Sequence, residues 1–454
     1  MTETPENIRG PVFRPAAEGY DDERTGYQRL ASHRPDLVVG ATGVDDVRAA
    51  VRHAAALGAR VAIQGAGHGV NEPMDGGVLI STRRMAGVRV DPAARTAWVE
   101  AGAPWAKVIE ATAPYGLAPM SGSSPGVGAV PYTLGGGLGL MARKHGFAAD
   151  HVRRLTMVTA DGRVMEVTPE GEPGLFWALR GGGVGGFGVV TGMEIGLLPV
   201  TRLYGGGLFF DVAEVPGVLE AWRHWTETVP EEMTSAVGML PFPDVPQVPE
   251  DLRGKHVAQV QIAFLGSEEE GRRLVRPLRE IGPPLRDTLR DLPYTESAAV
   301  FDEPDQPHAY QSQNRLLRDL DPGMLATLPK TGGPSAPLMC VVQMRHLGGA
   351  PARPPRVPSA VGHRAATYSL NALSVVRPGQ EEIARRLHDD VLAPFEEQAL
   401  GRGINFGYGR LTEQEARTAF DPGDYDRLAE LKARHDPNGM FHANYPISPD
   451  KRDQ

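Results

Sequence analysis

Between residues 36 and 63 the spacing of apolar positions changes twice. Leu37-Val38-Val39 is a short continuous apolar run, and Asp45-Asp46 follows where a helix would begin. Val47, Ala50, Val51, Ala54 and Leu57 then recur at three- and four-residue intervals, one stripe along a helix, until Gly58 stops it. Val61-Ala62-Ile63 resumes the strand pattern. The result is a strand-helix-strand unit whose second strand runs straight into Gly65-Ala66-Gly67-His68-Gly69.

The same reading predicts strands over 78–80, 87–90 and 96–100, and a helix over 105–113. The Asp161-Gly162 turn, flanked by apolar runs at 155–159 and 164–167, predicts a hairpin. Glycine density falls after Leu198-Pro199, which places a domain boundary near residue 200. Beyond it, strands are expected over 208–211, 257–264, 338–344 and 365–370, and amphipathic helices over 220–225, 268–279 and 381–395. Grouped strands with intervening helices imply an α+β domain whose sheet gives one face to helices and leaves the other for a ligand. Residues 241–249 and 348–358 are proline-rich and read as surface loops. A helix over 425–434 ends at Asp436-Pro437-Asn438-Gly439, and no internal repeat or heptad run is visible. The expected division is an N-terminal segment (1–33), a first domain (34–200), a second α+β domain on an antiparallel sheet (201–395), and a closing segment (396–454).

Composition narrows the chemistry. Cys340 is the only cysteine, so an intrachain disulfide and a clustered-thiol metal site are excluded. Arg345-His346 lacks a carboxylate or second histidine at ligand spacing, and no metal is expected. A formal net charge of −9 without a long basic block argues against nucleic acid as a partner, and Arg143-Lys144-His145 is too short a run to change that. Residues 1–14 hold no apolar stretch, and no run of 18 apolar residues occurs anywhere in the chain, so the expectation is a cytoplasmic protein without a membrane partner.

Fifty-five glycines suggest close approaches of backbone to something bound. They gather at 65–69, 122–128, 135–139 and 181–186, where successive amide donors without Cβ atoms could cradle the phosphates of a long, flat cofactor. The usual nucleotide motifs do not fit. The 135–139 cluster lacks the lysine and hydroxyl residue of a P-loop, and the 181–186 cluster does not open a βαβ unit with a suitably placed acid.

Six stretches do fit one family in order: Arg34-Pro35-Asp36, Gln64-Gly65-Ala66-Gly67-His68-Gly69, Gly122-Ser123-Ser124-Pro125-Gly126-Val127-Gly128, residues 132–139, Gly146-Phe147-Ala148-Ala149-Asp150, and residues 177–183 with Phe187-Gly188-Val189-Val190-Thr191. Together they make the chain resemble the FAD-linked oxidases with a PCMH-type, or vanillyl-alcohol-oxidase-type, FAD-binding domain, in their berberine-bridge-enzyme-like branch. Residues 425–447, with Asp436-Pro437-Asn438, Phe441 and Asn444, resemble that family's closing segment. The resemblance implies a two-part FAD-binding domain beside an α+β substrate domain.

It also implies roles. FAD would be held by Gln64, Gly65, Ala66, Gly67, His68 and Gly69 on one loop and by Gly122, Ser123, Ser124 and Gly128 on another. Thr133, Gly135, Gly136, Gly137, Gly139, Gly188, Val190 and Asn444 would complete the site. His68 matches the histidine that bonds the flavin 8α carbon. Ser124 stands where many members have a second linking cysteine, so one covalent link is expected. The family often carries an asparagine-tyrosine pair where this chain has Asn405-Phe406, which leaves Tyr132, Tyr408 and Tyr445 as candidate catalytic bases. Gln259, Gln261, Gln343 and Arg345 alternate on expected strands and are candidates for a pocket floor that binds substrate.

The function implied is hydride transfer from a small-molecule substrate, an alcohol or a secondary metabolite, to flavin N5. O2 or another electron acceptor would then reoxidise the flavin. A carbohydrate oxidase or dehydrogenase of the same family is the alternative, and a flavin scaffold used for non-redox chemistry or ligand binding a further one.

Overall fold

The computed structural model describes residues 7–448 and contains three sheets. The first has four strands in the order Val12–Phe13, Leu37–Gly40, Val78–Ser81, Val61–Gln64, the last three parallel. Its three parallel strands are almost wholly buried, as continuous apolar runs require. The helix Val44–Ala56 crosses between them and ends as expected at Gly58, whose φ of +61° suits a residue without Cβ. The second sheet is antiparallel, with five strands in the order Val88–Asp91, Thr96–Glu100, Val189–Gly196, Val152–Val158, Val164–Val167, and it includes the expected Asp161-Gly162 hairpin.

The third sheet has nine strands, all paired antiparallel. Its path runs Arg286–Asp287, Arg202–Asp211, His256–Phe264, Met233–Pro241, Cys340–His346, Tyr368–Val375, Tyr310–Leu317, Ala399–Gly401, with Arg290–Pro293 also on Arg202–Asp211. This is the α+β architecture with an antiparallel second sheet. On one face, Leu208, Val237, Val260, Ile262, Val342, Met344 and Leu370 pack with Trp222, Val275 and Val391 from three helices. Cys340 lies in the same core, and burial pushes its thiol up to about 11.

Two long strands of this sheet carry no clear pattern. Met233–Pro241 is interrupted by Thr234, Ser235 and Gly238, and Tyr310–Leu317 reads Gln-Ser-Gln-Asn through its centre. Both are strands because neighbours on each side complete their ladders, a tertiary effect that local propensity does not record. The helix expected over 381–395 stops at Leu392, and a 3₁₀ turn starts at Ala393 with Pro394 inside it.

Candidate active site

The loop after Val61–Gln64 turns on two glycines placed back to back. Gly67 has φ +70°, and a Cβ on it would fall 2.5 Å from Gly26 Cα. That approach lets the Tyr27 and Gln28 amides donate to the Ala66 and Gly67 carbonyls at 2.9 Å each. Tyr27 then stacks on the His68 imidazole, with ring centroids 4.1 Å apart and planes 11° from parallel. Arg83 fastens the assembly by donating to the Asp22, Thr25 and Gly65 carbonyls.

From the third sheet, the Tyr310 hydroxyl donates to the His68 carbonyl at 2.5 Å. His68 Nδ1 is buried and meets no hydrogen-bond partner. Burial, reinforced by His308, lowers the imidazole pKa to about 4, so the ring is neutral at pH 7. Beside it opens a cleft of about 820 Å³, whose wall includes Ala66, His68, Ser124, Gly126, Arg83 and Glu303.

The residues singled out from the sequence divide into two groups. Ala66, His68 and Ser124 line the cleft. Gly65 and Gly69 belong to the His68 loop, where an added Cβ would make only ordinary contacts, at 3.5 Å or beyond. The Gln64 amide donates to the Arg24 carbonyl, and its Oε1 is buried without a partner. Ser123 reaches across to Arg345, and Asn444 Oδ1 accepts from the Asn71 amide at 2.8 Å.

The others are engaged in packing. Gly122, Gly137 and Gly139 surround the Tyr132 ring, and a Cβ on Gly137 would lie 2.5 Å from it. Gly135 is pressed against the Asn405 side chain, Gly136 against Val361, and Gly188 against Met157. Gly128 caps the short helix Ala129–Leu134, inside which Thr133 donates to the Ala129 carbonyl, and Val190 is buried in its strand.

The three tyrosines are equally distinct. Tyr445 lies in the core against Phe420, its hydroxyl unpartnered and its pKa raised by burial alone. Tyr132 is half-buried, edge-on to Trp105, with a buried and unpartnered hydroxyl, and the Arg345 charge opposes the effect of burial on it. Tyr408 meets Tyr310 edge-on at 4.9 Å, and its ring lies 3.9 Å from where a Cβ on Gly69 would stand. Burial and Glu303 raise its pKa, and Arg345 again opposes them.

Strand register explains how the polar side chains meet. Gln259, Gly238, Gln343, Asn371 and Asn314 form one row across the sheet, and Gln261, Ala236, Arg345 and Ser369 form the next. Residues directly opposite share a face, so Gln259, Gln261, Gln343 and Arg345 lie on the face away from the helix-covered core. The closing segment docks on this face. Asn314 donates to the Gly403 carbonyl and accepts from the Gly403 amide, and Ser312 Oγ donates to the Phe406 carbonyl at 2.7 Å. Asn405 Nδ2 donates to the Tyr132 carbonyl, while Asn71 ties Gly407 and Gly409 to Asn444.

Tyr27, Tyr310 and Glu303 join the site without having been singled out from the sequence. Tyr27 lies in the N-terminal segment, and Glu303 in the irregular run Asp302-Glu303-Pro304-Asp305. The proximity of Tyr27 to the Gly65–Gly69 loop depends on the Gly26–Gly67 contact, which has no local signature.

Residues 35–168 match the FAD binding domain family, and residues 404–448 match the family described as berberine and berberine like. The chain is 27% identical to (R)-6-hydroxynicotine oxidase of Paenarthrobacter nicotinovorans, over 98% of each protein. It is 30% identical to berberine bridge enzyme-like C-1 of Nicotiana tabacum, over 50% of this chain and 42% of that one. The crystal structure of 6-hydroxy-D-nicotine oxidase from Arthrobacter nicotinovorans matches 99% of this chain and 100% of its own, with a TM-score of 0.85 and 25% identity. Fold and site define an FAD-dependent oxidoreductase. The chain carries an FAD binding domain at residues 35–168 and a berberine-like segment at residues 404–448, and along its length it is similar to FAD-linked oxidoreductases. Among the described residues, no helix is long and apolar enough to cross a membrane.

Proposed function

We propose that this protein is an oxidase of small molecules that holds FAD through a single covalent bond from His68. The observation that carries the reading is the buried, unpartnered Nδ1 of a neutral imidazole at the edge of the cleft. A buried polar atom without a partner is costly, and a bond to a cofactor removes that cost. Neutrality leaves the nitrogen lone pair free to form it. Ser124 on the cleft wall offers a hydroxyl in place of a thiol, so a second link has no ready nucleophile.

The residues suit a flavin. Gly65, Gly69 and Gly126 leave their Cβ positions clear of tight protein contact, and Tyr27 fixes the imidazole plane by stacking. Bound there, FAD supplies a two-electron acceptor for hydride from a substrate carbon. Substrate lies between the His68 loop and the polar face of the nine-stranded sheet, with the glutamine row and Arg345 as hydrogen-bond donors. Burial keeps the Tyr408 phenol protonated at neutral pH, so Tyr408 donates a hydrogen bond to the substrate heteroatom. Glu303 lines the cleft, and its charge acts on Tyr27, Tyr132, Tyr310 and Tyr408 alike; this carboxylate takes the proton that leaves as hydride departs. The substrate thus loses a hydride and a proton, and the two electrons pass to O2, which with two protons becomes hydrogen peroxide.

The test is a visible spectrum of purified protein before and after acid precipitation and washing. Yellow colour staying with the pellet, and absent from the His68→Ala pellet, is the expected result. Yellow moving wholly to the supernatant overturns the covalent link. With the link established, peroxide release identifies substrates.

A further inference from the structure

A guanidinium stays charged at any working pH, so burying one obliges its surroundings to supply acceptors in its plane. Arg345 is 9% exposed. Aromatic rings flank it, with Phe301 and Phe406 centroids 4.6 Å and 4.8 Å from Cζ. In its plane, Nε donates to Gln343 Oε1 at 2.9 Å, and Nη2 reaches Ser123 Oγ at a long 3.4 Å. The carboxylate within ion-pair range, Glu303, stands 3.8 Å from Nη2, beyond hydrogen-bond distance, with its side chain 37% exposed. Nη1 donates to no group among the described residues.

The group is therefore held in place and incompletely neutralised. Its surroundings repeat the pattern. The Tyr132 hydroxyl, which feels the Arg345 charge, is buried without a partner, and Gln261 Oε1, in the row of Arg345, is likewise unpaired. Asp302 and Asp305 on the cleft wall are exposed to water, where their charge is screened, so they do not supply the missing counterion.

We propose that Arg345 is the anchor of the substrate and that the substrate carries a carboxylate, bound through the free Nη1 edge of the guanidinium beside the apolar walls of Phe301 and Phe406. This rests on the placement of substrate against the polar face of the nine-stranded sheet. A carboxylate satisfies an in-plane guanidinium edge, and the low dielectric of the site strengthens the pair. The rings favour a compact, partly apolar acid over a polyhydroxylated chain, and Phe406 supplies no hydroxyl for a sugar.

Calorimetric titration of the purified holoprotein with benzoate, benzamide and benzylammonium tests the assignment. Benzoate is expected to bind at least tenfold more tightly than benzamide, with benzylammonium weakest. Arg345→Gln is expected to bring benzoate down to the level of benzamide, and Arg345→Lys to restore part of the difference. Should Arg345→Gln fail to fold, Glu303→Gln serves instead, because removing the competing carboxylate tightens benzoate. Benzoate binding no tighter than benzamide, a preference that survives Arg345→Gln, or tighter benzylammonium lost in Glu303→Gln would each overturn the proposal. Acid precipitation of the same preparations separates the two readings. A yellow pellet without anion preference rejects the anchor alone, and a colourless pellet with the preference intact rejects the covalent link alone.

Discussion

The two faces of the nine-stranded sheet follow opposite rules. The helix-covered face is a continuous apolar layer around Trp222, Phe210, Val260 and Met344, and alternation along the strands suffices to build it. The other face buries amides and a guanidinium: Gln259, Gln261, Asn314 and Arg345 are all under 10% exposed. Apolar residues of similar volume there would cost the fold little, and often stabilise a protein. Gln261 and Arg345, expensive to bury and weakly satisfied by their neighbours, mark the face that has a ligand to meet, and the covered face sets stability.

That division is broken or sharpened first by Trp222→Ala. Trp222 is fully buried, donates to Ser235 Oγ at 3.2 Å and meets Tyr368 edge-on. Its truncation is expected to lower unfolding free energy by about 3–5 kcal/mol, read as a shifted denaturant midpoint, while the folded fraction keeps its FAD. A loss below about 1 kcal/mol would deny the covered face its role.

On the polar face, Glu303→Gln reverses the balance. Anaerobic reduction of the flavin by substrate is expected to slow about 10²–10⁴-fold, while stability changes by no more than about 0.5 kcal/mol. An unchanged reduction rate removes Glu303 as proton acceptor and returns the role to the phenols. Asn314→Ala lies between the extremes. It leaves the Gly403 amide and carbonyl without their side-chain partner, at about 1–3 kcal/mol, and hydrogen exchange should rise across residues 403–409. Equal protection in variant and parent would show that Ser312 and Asn71 hold the segment alone.

The same contrast explains what was legible in the sequence. Strands such as Val61–Gln64 and His256–Phe264, and the helix Glu268–Arg279, follow apolar periods and were readable to within a few residues. Tyr310–Leu317 was not, because Ser312 and Asn314 on its open face are polar and bond the closing segment, and its other face carries Gln313 and Arg315, which bond Asp389 and Glu396. His68 was singled out only through the family resemblance of its glycine loop, since a lone histidine after a strand carries little signal by itself. Tyr27 and Glu303 were not, since only tertiary contact brings residues 27, 68 and 303 together. Glycine number also proved an ambiguous signal. Gly126 leaves room at the cleft, whereas Gly137 and Gly139 make room for Tyr132.

The smallest effect follows from histidines on both faces. His388 on the covered side, bonded to Ser374 Oγ, and His68 on the open side are each held neutral by burial, with pKa values lowered to about 4. An unfolded histidine takes up a proton near pH 6.5, while these folded ones resist until about pH 4, so unfolding binds protons between those limits. Their contribution is full above about pH 6.5 and is lost progressively as pH falls toward 4. At pH 5.5 each is expected to cost about 1 kcal/mol of stability, and His388→Gln should flatten the dependence by roughly that amount. His68→Ala tests the other side. A bond from Nδ1 leaves Nε2 to take up the proton, so the buried His68 ring keeps its acid dependence with the link in place, and His68→Ala should flatten the slope as His388→Gln does. An unchanged slope in that comparison would mean that the His68 ring titrates freely in the folded protein, and the covered and open faces would then differ in protonation as well as in packing.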